Sequence, residues 1–103
     1  MTDIGNAMKH GNAQTMSKFF DAEIEITFFE KSKKFTRSSA QKALQTFFSK
    51  IEPKNYEPWD KGNSYNRYYY VGYLHTSNKV YRVYMLFVQK GNNWVMQELR
   101  FEN

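Results

Sequence analysis

The chain has 103 residues, enough for one domain and too few for two. It is 41% hydrophobic and 18% aromatic and has no cysteine, so a core rich in Phe, Tyr and Trp must hold it without disulfides, and thiolate metal sites and cysteine catalysis are excluded. The formal net charge is +5, but only Lys31, Lys33, Lys34 and Arg37 cluster, and the other cations are scattered among carboxylates, a pattern of solvated surface rather than of a nucleic-acid footprint.

No stretch approaches ~18 apolar residues, so no membrane span is expected. Met1–Gly5 has no basic head followed by an apolar run and does not read as a signal peptide. Residues 1–103 read as a single domain.

Thr2 to His10 is expected to be a short helix, with Ile4, Ala7 and Met8 on one face, Thr2 as cap and Gly11 where a helix can end left-handed. A second short helix is expected over Asn12 to Phe20, capped by Asn12, with Ala13, Met16 and Phe20 at helical spacing. Ile24, Ile26 and Phe28 alternate with polar residues, which predicts a half-buried strand. Glu30 to Lys34 reads as a charged hairpin turn before a short strand at Lys34–Thr36.

The clearest helix runs from Ser38 to Ile51. Ser38 and Gln41 match a capping box, Ala40, Ala43, Leu44, Phe47, Phe48 and Ile51 form one apolar stripe, and Pro53 stops the run. Asn55 to Lys61 is expected to be an edge or bulged strand, because Pro58 lacks a ladder donor. Gly62-Asn63-Ser64 reads as a turn. Tyr65–Thr76, Lys79–Lys90 and Asn93–Glu102 then read as a three-strand antiparallel meander joined by the two-residue loops Ser77-Asn78 and Gly91-Asn92.

Two-residue loops set the register by counting. Tyr70 then faces Met85, Met85 faces Glu98, and Val83 faces Arg100. One face carries Tyr68, Tyr70, Met85, Phe87, Trp94, Met96, Glu98 and Arg100. It is assigned to the helices, with Tyr68, Tyr70, Met85, Trp94, Glu98 and Arg100 as candidate cavity residues. Glu98 and Arg100 would lie at the rim and satisfy each other, or form a polar end to an apolar cavity. The other face carries Tyr69, Val71, Tyr73, Arg82, Tyr84, Leu86, Val88, Leu99 and Phe101. Val71, Tyr84, Leu86, Val88, Leu99 and Phe101 would leave a large apolar patch there, which is expected to pair two copies of the chain as a homodimer, with Tyr69, Tyr73, Arg82, Tyr84, Leu86 and Leu99 as candidate interface residues. A bulge in the last strand would exchange the faces beyond it.

This order of elements gives an α+β fold in which a curved antiparallel sheet wraps the N-terminal helices and one long helix. It resembles the cone of nuclear transport factor two-like proteins, a superfamily that includes ketosteroid isomerase, scytalone dehydratase and many non-enzymatic binding domains. Gly11-Asn12-Ala13, Phe47-Phe48, Thr76-Ser77-Asn78, Tyr81-Arg82-Val83-Tyr84 and Leu99-Arg100-Phe101-Glu102 together resemble the bacterial family of small exported proteins called domain of unknown function 4783. That resemblance implies a precursor with a signal peptide and a periplasmic or exported location. It implies no activity and no catalytic residues.

The chemistry that remains is sparse. Glu98 with Tyr68 or Tyr70 is the nearest match to an isomerase-like base and donor. The Tyr-plus-two-Asp set of ketosteroid isomerase and the His–Asp arrangement of scytalone dehydratase are not found. His10 and His75 have no second ligand at metal spacing, and there is no phosphate loop or nucleophile motif, so no metal and no cofactor are expected. Arg67, Tyr69, Tyr73 and Arg82 share a surface that could stack single-stranded bases. The leading expectation is a non-enzymatic domain for a small apolar ligand or an envelope protein; a Glu98 enzyme and nucleic-acid binding are the alternatives.

Overall fold

A computed structural model describes residues 2–103; Met1 and the side chain of Thr2, the expected cap of the first helix, lie outside it. Its elements are α1 (Thr2–Lys9), α2 (Ala13–Ser17), β1 (Phe20–Phe28), β2 (Lys31–Thr36), α3 (Arg37–Ile51), β3 (Pro53–Ser64), β4 (Arg67–Thr76), β5 (Val80–Lys90) and β6 (Asn93–Glu102). Ile4, Ala7 and Met8 are buried, as the helical spacing requires. Gly11 has φ +63° and turns the chain between α1 and α2, while the Asn12 amide donates to the Ala7 carbonyl at 2.8 Å. Asn12 caps α2, its Oδ1 accepting from the Thr15 N–H at 3.1 Å.

α2 is shorter than expected because the sheet claims its last residues. Phe20 begins β1 opposite Met96, and the Phe19 carbonyl accepts from the Met96 N–H at 2.7 Å. α3 starts one residue early, with Thr36 rather than Ser38 as cap; Thr36 Oγ1 accepts from the Ser39 N–H at 3.3 Å. Gln41 does not complete a capping box, since its Oε1 accepts from Ser17 Oγ at 3.1 Å and ties α3 to α2. Glu52, left-handed at φ 51°, ends α3, and Pro53 opens β3.

The six strands are ordered β2-β1-β6-β5-β4-β3. Every neighbouring pair is antiparallel except β1 with β6, which is parallel. β3 is an edge strand with irregularities between Pro53 and Asn55 and between Pro58 and Asp60, as the missing donor of Pro58 requires. Gly62-Asn63-Ser64 is not the turn: those residues pair with Tyr69, Tyr68 and Arg67, and Tyr65, at φ 54°, turns the chain with Asn66. Nearer Pro53, the Tyr56 ring lies over Gly72 on the inner side of the sheet. The missing Cβ of that glycine makes the space for it.

The counted β4–β5 register holds, with Tyr70 opposite Met85. The β5–β6 register holds only to the pair Phe87–Met96; Leu86 then pairs with Glu98, so Gln97 is an extra residue in β6. Because side chains alternate, one extra residue exchanges the two faces beyond it. Leu99 and Phe101 therefore turn inward and are fully buried, and Glu98 and Arg100 turn outward, joined at 3.1 Å. This overturns the expected inward Glu98 and Arg100 and the expected outward Leu99 and Phe101. Inward Phe101 meets the α3 stripe, with ring centroids 4.7 Å from Phe47 and 6.3 Å from Phe48. Full burial of an apolar side chain contributes about 1.5–3 kcal/mol, whereas an inward charge costs several, so the bulged register wins.

β1 carries a matching irregularity between Phe20 and Glu25. Asp21, inside it, accepts from Lys90 Nζ at 2.7 Å and from Gln97 Nε2 at 3.1 Å through Oδ2. One carboxylate thus fastens the two irregular stretches together. The Lys90 ammonium is the main reason that the Asp21 carboxyl is held below its usual value, against the opposing effect of desolvation.

Two outcomes follow from these contacts. In Gly72→Ala the new Cβ would fall within the Tyr56 phenol and 2.8 Å from the Glu57 carbonyl oxygen. Overpacking of this kind is expected to cost about 1–3 kcal/mol, read as a lower urea midpoint; an unchanged midpoint would mean that Tyr56 moves freely. A carboxylate with a depressed native pKa stabilises the fold above its unfolded value and loses that contribution as pH falls through the native one. The stability gap between the natural chain and Asp21→Asn should be widest above about pH 4 and close as the solution is acidified further. A gap independent of pH would contradict the Lys90 contact.

Candidate functional site

The concave side of the sheet closes over α3 at one end, where Phe28, Phe47, Phe48 and Phe101 pack ring on ring. At the other end it stays open. There a hollow of about 450 Å³ is lined by Ile4, Phe19, Tyr68, Tyr70, Phe87 and Trp94. β4 supplies Tyr68 and Tyr70, which share a face at i and i+2, with centroids 6.5 Å apart and planes within 16°. Trp94, just after the Gly91-Asn92 turn, meets Tyr68 nearly edge-on at 4.6 Å. Phe87 stands at 89° to Tyr70 at 5.7 Å. Ile4 of α1 and Phe19, which follows α2, form the facing wall.

Among the described residues, no ionisable side chain other than the two phenols lines this hollow. Its rings touch one another and form a wall rather than a cage around a point. Such a surface offers apolar area and π faces to a ligand, with the two tyrosine hydroxyls and the Trp94 indole N–H as the polar groups of its described side chains.

Of the six residues expected in the cavity, the structure brings Tyr68, Tyr70 and Trp94 together. Met85 is fully buried beneath, opposite Tyr70 in the ladder, and belongs to the floor of the core. Glu98 and Arg100 lie on the convex face, moved there by the bulge at Gln97. The expected pairing of Glu98 with Tyr68 or Tyr70 as base and donor is therefore not formed, since the sheet separates them. Ile4, Phe19 and Phe87 were not among the expected site residues. Ile4 and Phe87 carried a signal, each standing on a face assigned to the interior. Phe19 carried one too, widening the apolar face of the second short helix, but it read as part of a longer helix rather than of a mouth.

On the convex face Tyr69, Tyr73, Arg82, Tyr84 and Leu86 gather as expected, without Leu99. Tyr69 stacks with Tyr84 at 6.4 Å, Trp59 meets Tyr73 at 5.8 Å, and Arg100 lies 5.3 Å over the Tyr84 ring. Arg82 is paired with Glu102. Among the described residues no group of three or more His, Cys, Asp and Glu side chains is placed to hold a metal ion. No helix among the described residues is long and apolar enough to cross a membrane.

The chain is similar in structure to a DUF4783 family protein from Bacteroides ovatus, at 22% identity and a TM-score of 0.95, covering 100% of this chain and 94% of that one. A domain of unknown function with a cystatin-like fold from Nostoc punctiforme matches at 11% identity and a TM-score of 0.77, covering 98% of this chain and 70% of that one. A protein of the NTF2-like family from Streptomyces avermitilis matches at 10% identity and a TM-score of 0.69, covering 98% of this chain and 88% of that one. At these identities the likenesses show a shared fold and nothing about activity. Among curated proteins none matches the chain. The model of the domain of unknown function DUF4783 matches residues 1–102, and the chain, an NTF2-like cone of curved sheet and helices, belongs to that family.

Proposed function

We propose that this chain is a non-enzymatic binding domain that takes a small apolar or aromatic ligand at the open end of its cone. The observation that carries the reading is the hollow itself: about 450 Å³, lined among the described residues by uncharged aromatic and aliphatic side chains. That volume lies within the range of small-molecule sites, and the composition of the wall is typical of them. Trp94 remains 38% exposed beside the half-buried Tyr68 and Tyr70, so the wall is accessible. A location in the cell envelope is part of the proposal and rests on the resemblance of the sequence to exported proteins.

The chain has two tryptophans, and Trp59 lies on the other side of the sheet, so Trp59→Phe leaves emission from Trp94 alone. Titrating that variant with 1-anilinonaphthalene-8-sulfonate should quench Trp94. In the natural chain, Trp94→Ala and Tyr68→Ala should each weaken the dye's binding by about three- to tenfold, the scale of one lost aromatic contact. Equal affinity in the natural chain and Trp94→Ala would remove the hollow as the site.

We also infer that the convex face pairs two copies of the chain. Half-buried Tyr73, Tyr84, Leu86 and Val88 adjoin the 38%-exposed Tyr69 there, and a continuous apolar strip of this kind is rarely left in water. Light scattering coupled to size exclusion should give the mass of a dimer, and Tyr84→Glu, which sets a charge in the centre of the strip, should give that of a monomer. A natural chain that stays monomeric at high concentration would defeat the inference.

A further inference from the structure

The two outer strands of the sheet are built differently. β3 opens on Pro53, contains Pro58 and loses register with β4 at two places. β2 contains no proline and pairs with β1 from Lys31 to Thr36 without a shift. In an antiparallel strand every second residue turns its N–H and C=O away from its neighbour. The free side of β2 therefore offers a regular ladder to a further strand. Every residue of β2 except Phe35 is exposed.

β2 also holds most of the one cationic cluster of the sequence. Lys31 and Lys33 stand opposite Phe28 and Ile26 in the β1 ladder, and Lys34 stands opposite Glu25. None of these lysines belongs to an ion pair among the described residues. Arg37, the remaining member of the cluster, is engaged elsewhere, its Nε donating to the Phe20 carbonyl at 3.2 Å. Residues 30–37 hold one carboxylate, that of Glu30, against the four cations. Lysines on an edge keep two copies of that edge apart. No bulge and no proline assists them here, so β2 is closed by charge alone, and a strand of the opposite sign is the one it admits.

We propose that β2 is a docking edge for an acidic extended segment of another protein, which joins the sheet beyond β2 as an added strand. Main-chain hydrogen bonds to the outward groups of β2 hold the segment, and carboxylates at alternate positions lie beside Lys31 and Lys33. Lys34, on the opposite face of the strand, takes a carboxylate from the intervening positions. Phe35, half-buried on the face of Lys31 and Lys33, offers one apolar contact at its end of the edge. The partner segment is thus free of proline, of high β propensity, and acidic at period two.

The test follows the backbone amide resonances of the natural chain during titration with a short blocked peptide in which Glu and Val alternate. The largest shifts should fall on Lys31–Thr36 and should shrink as salt is added. The same peptide N-methylated at every residue keeps its charges and loses its ladder donors, and should bind at least about tenfold more weakly. Lys31→Glu combined with Lys33→Glu, both at exposed positions, should weaken the acidic peptide about tenfold and admit its Lys–Val counterpart instead, the scale of two surface ion pairs. Absence of β2 shifts at millimolar acidic peptide would overturn the proposal. Equal affinity for the methylated peptide would overturn it too, since attraction without pairing would then explain the binding, and so would an affinity indifferent to the charge reversal.

Discussion

Gln97 is one residue more than the β5–β6 ladder can pair, and the interior of the protein depends on it. With that residue in place, Leu99 and Phe101 reach α3, and Phe101 closes the ring cluster with Phe28, Phe47 and Phe48. In the unbulged register Glu98 and Arg100 would occupy those positions, against an apolar helix face without partners. The strand accepts a local break in its ladder because the alternative is two ions under a helix.

The break does not stand alone. β1 runs parallel to β6 and loses step at the same level, between Phe20 and Glu25. Asp21, Lys90 and Gln97 join across the gap. The charged cluster there is therefore structural, a fastening between two misaligned strands. Its counterpart on the convex face, Glu98 with Arg100, shields the charges that the bulge has turned outward.

The cone is filled at one end and open at the other. Phenylalanines from α3, β1 and β6 pack the closed end. The open end is furnished by tyrosines and a tryptophan, whose rings lie against one another and whose polar tips can face water. The sheet's two outer strands are treated differently. β2 carries Lys31, Lys33 and Lys34, and Lys33 lies 5.4 Å over the Phe35 ring. β3 is interrupted by Pro58 and a bulge. Both devices discourage edge-to-edge pairing with other chains.

Much of this was legible in the sequence alone. The stripe from Ala40 to Ile51, the alternation around Ile24 and Ile26, and the two-residue loops at Ser77-Asn78 and Gly91-Asn92 are local patterns, and local periodicity determined the helix, the strands and the inward tyrosines of β4. Three features depended on contacts between distant residues. Phe19 and Phe20 have helical spacing, but pairing with Met96 drew Phe20 into β1 and placed Phe19 at the mouth. Glu98, Leu99 and Arg100 exchanged sides because burial against α3 outweighed regular pairing, and alternation in one strand carries no trace of where an extra residue will fall. The hydroxyl of Tyr56, buried without a hydrogen-bond partner, follows from Gly72 across the ladder. Sequence determined which elements form, because propensity and periodicity act over a few residues; tertiary structure decided which side chains share a cavity, because register and burial act between residues far apart in the chain.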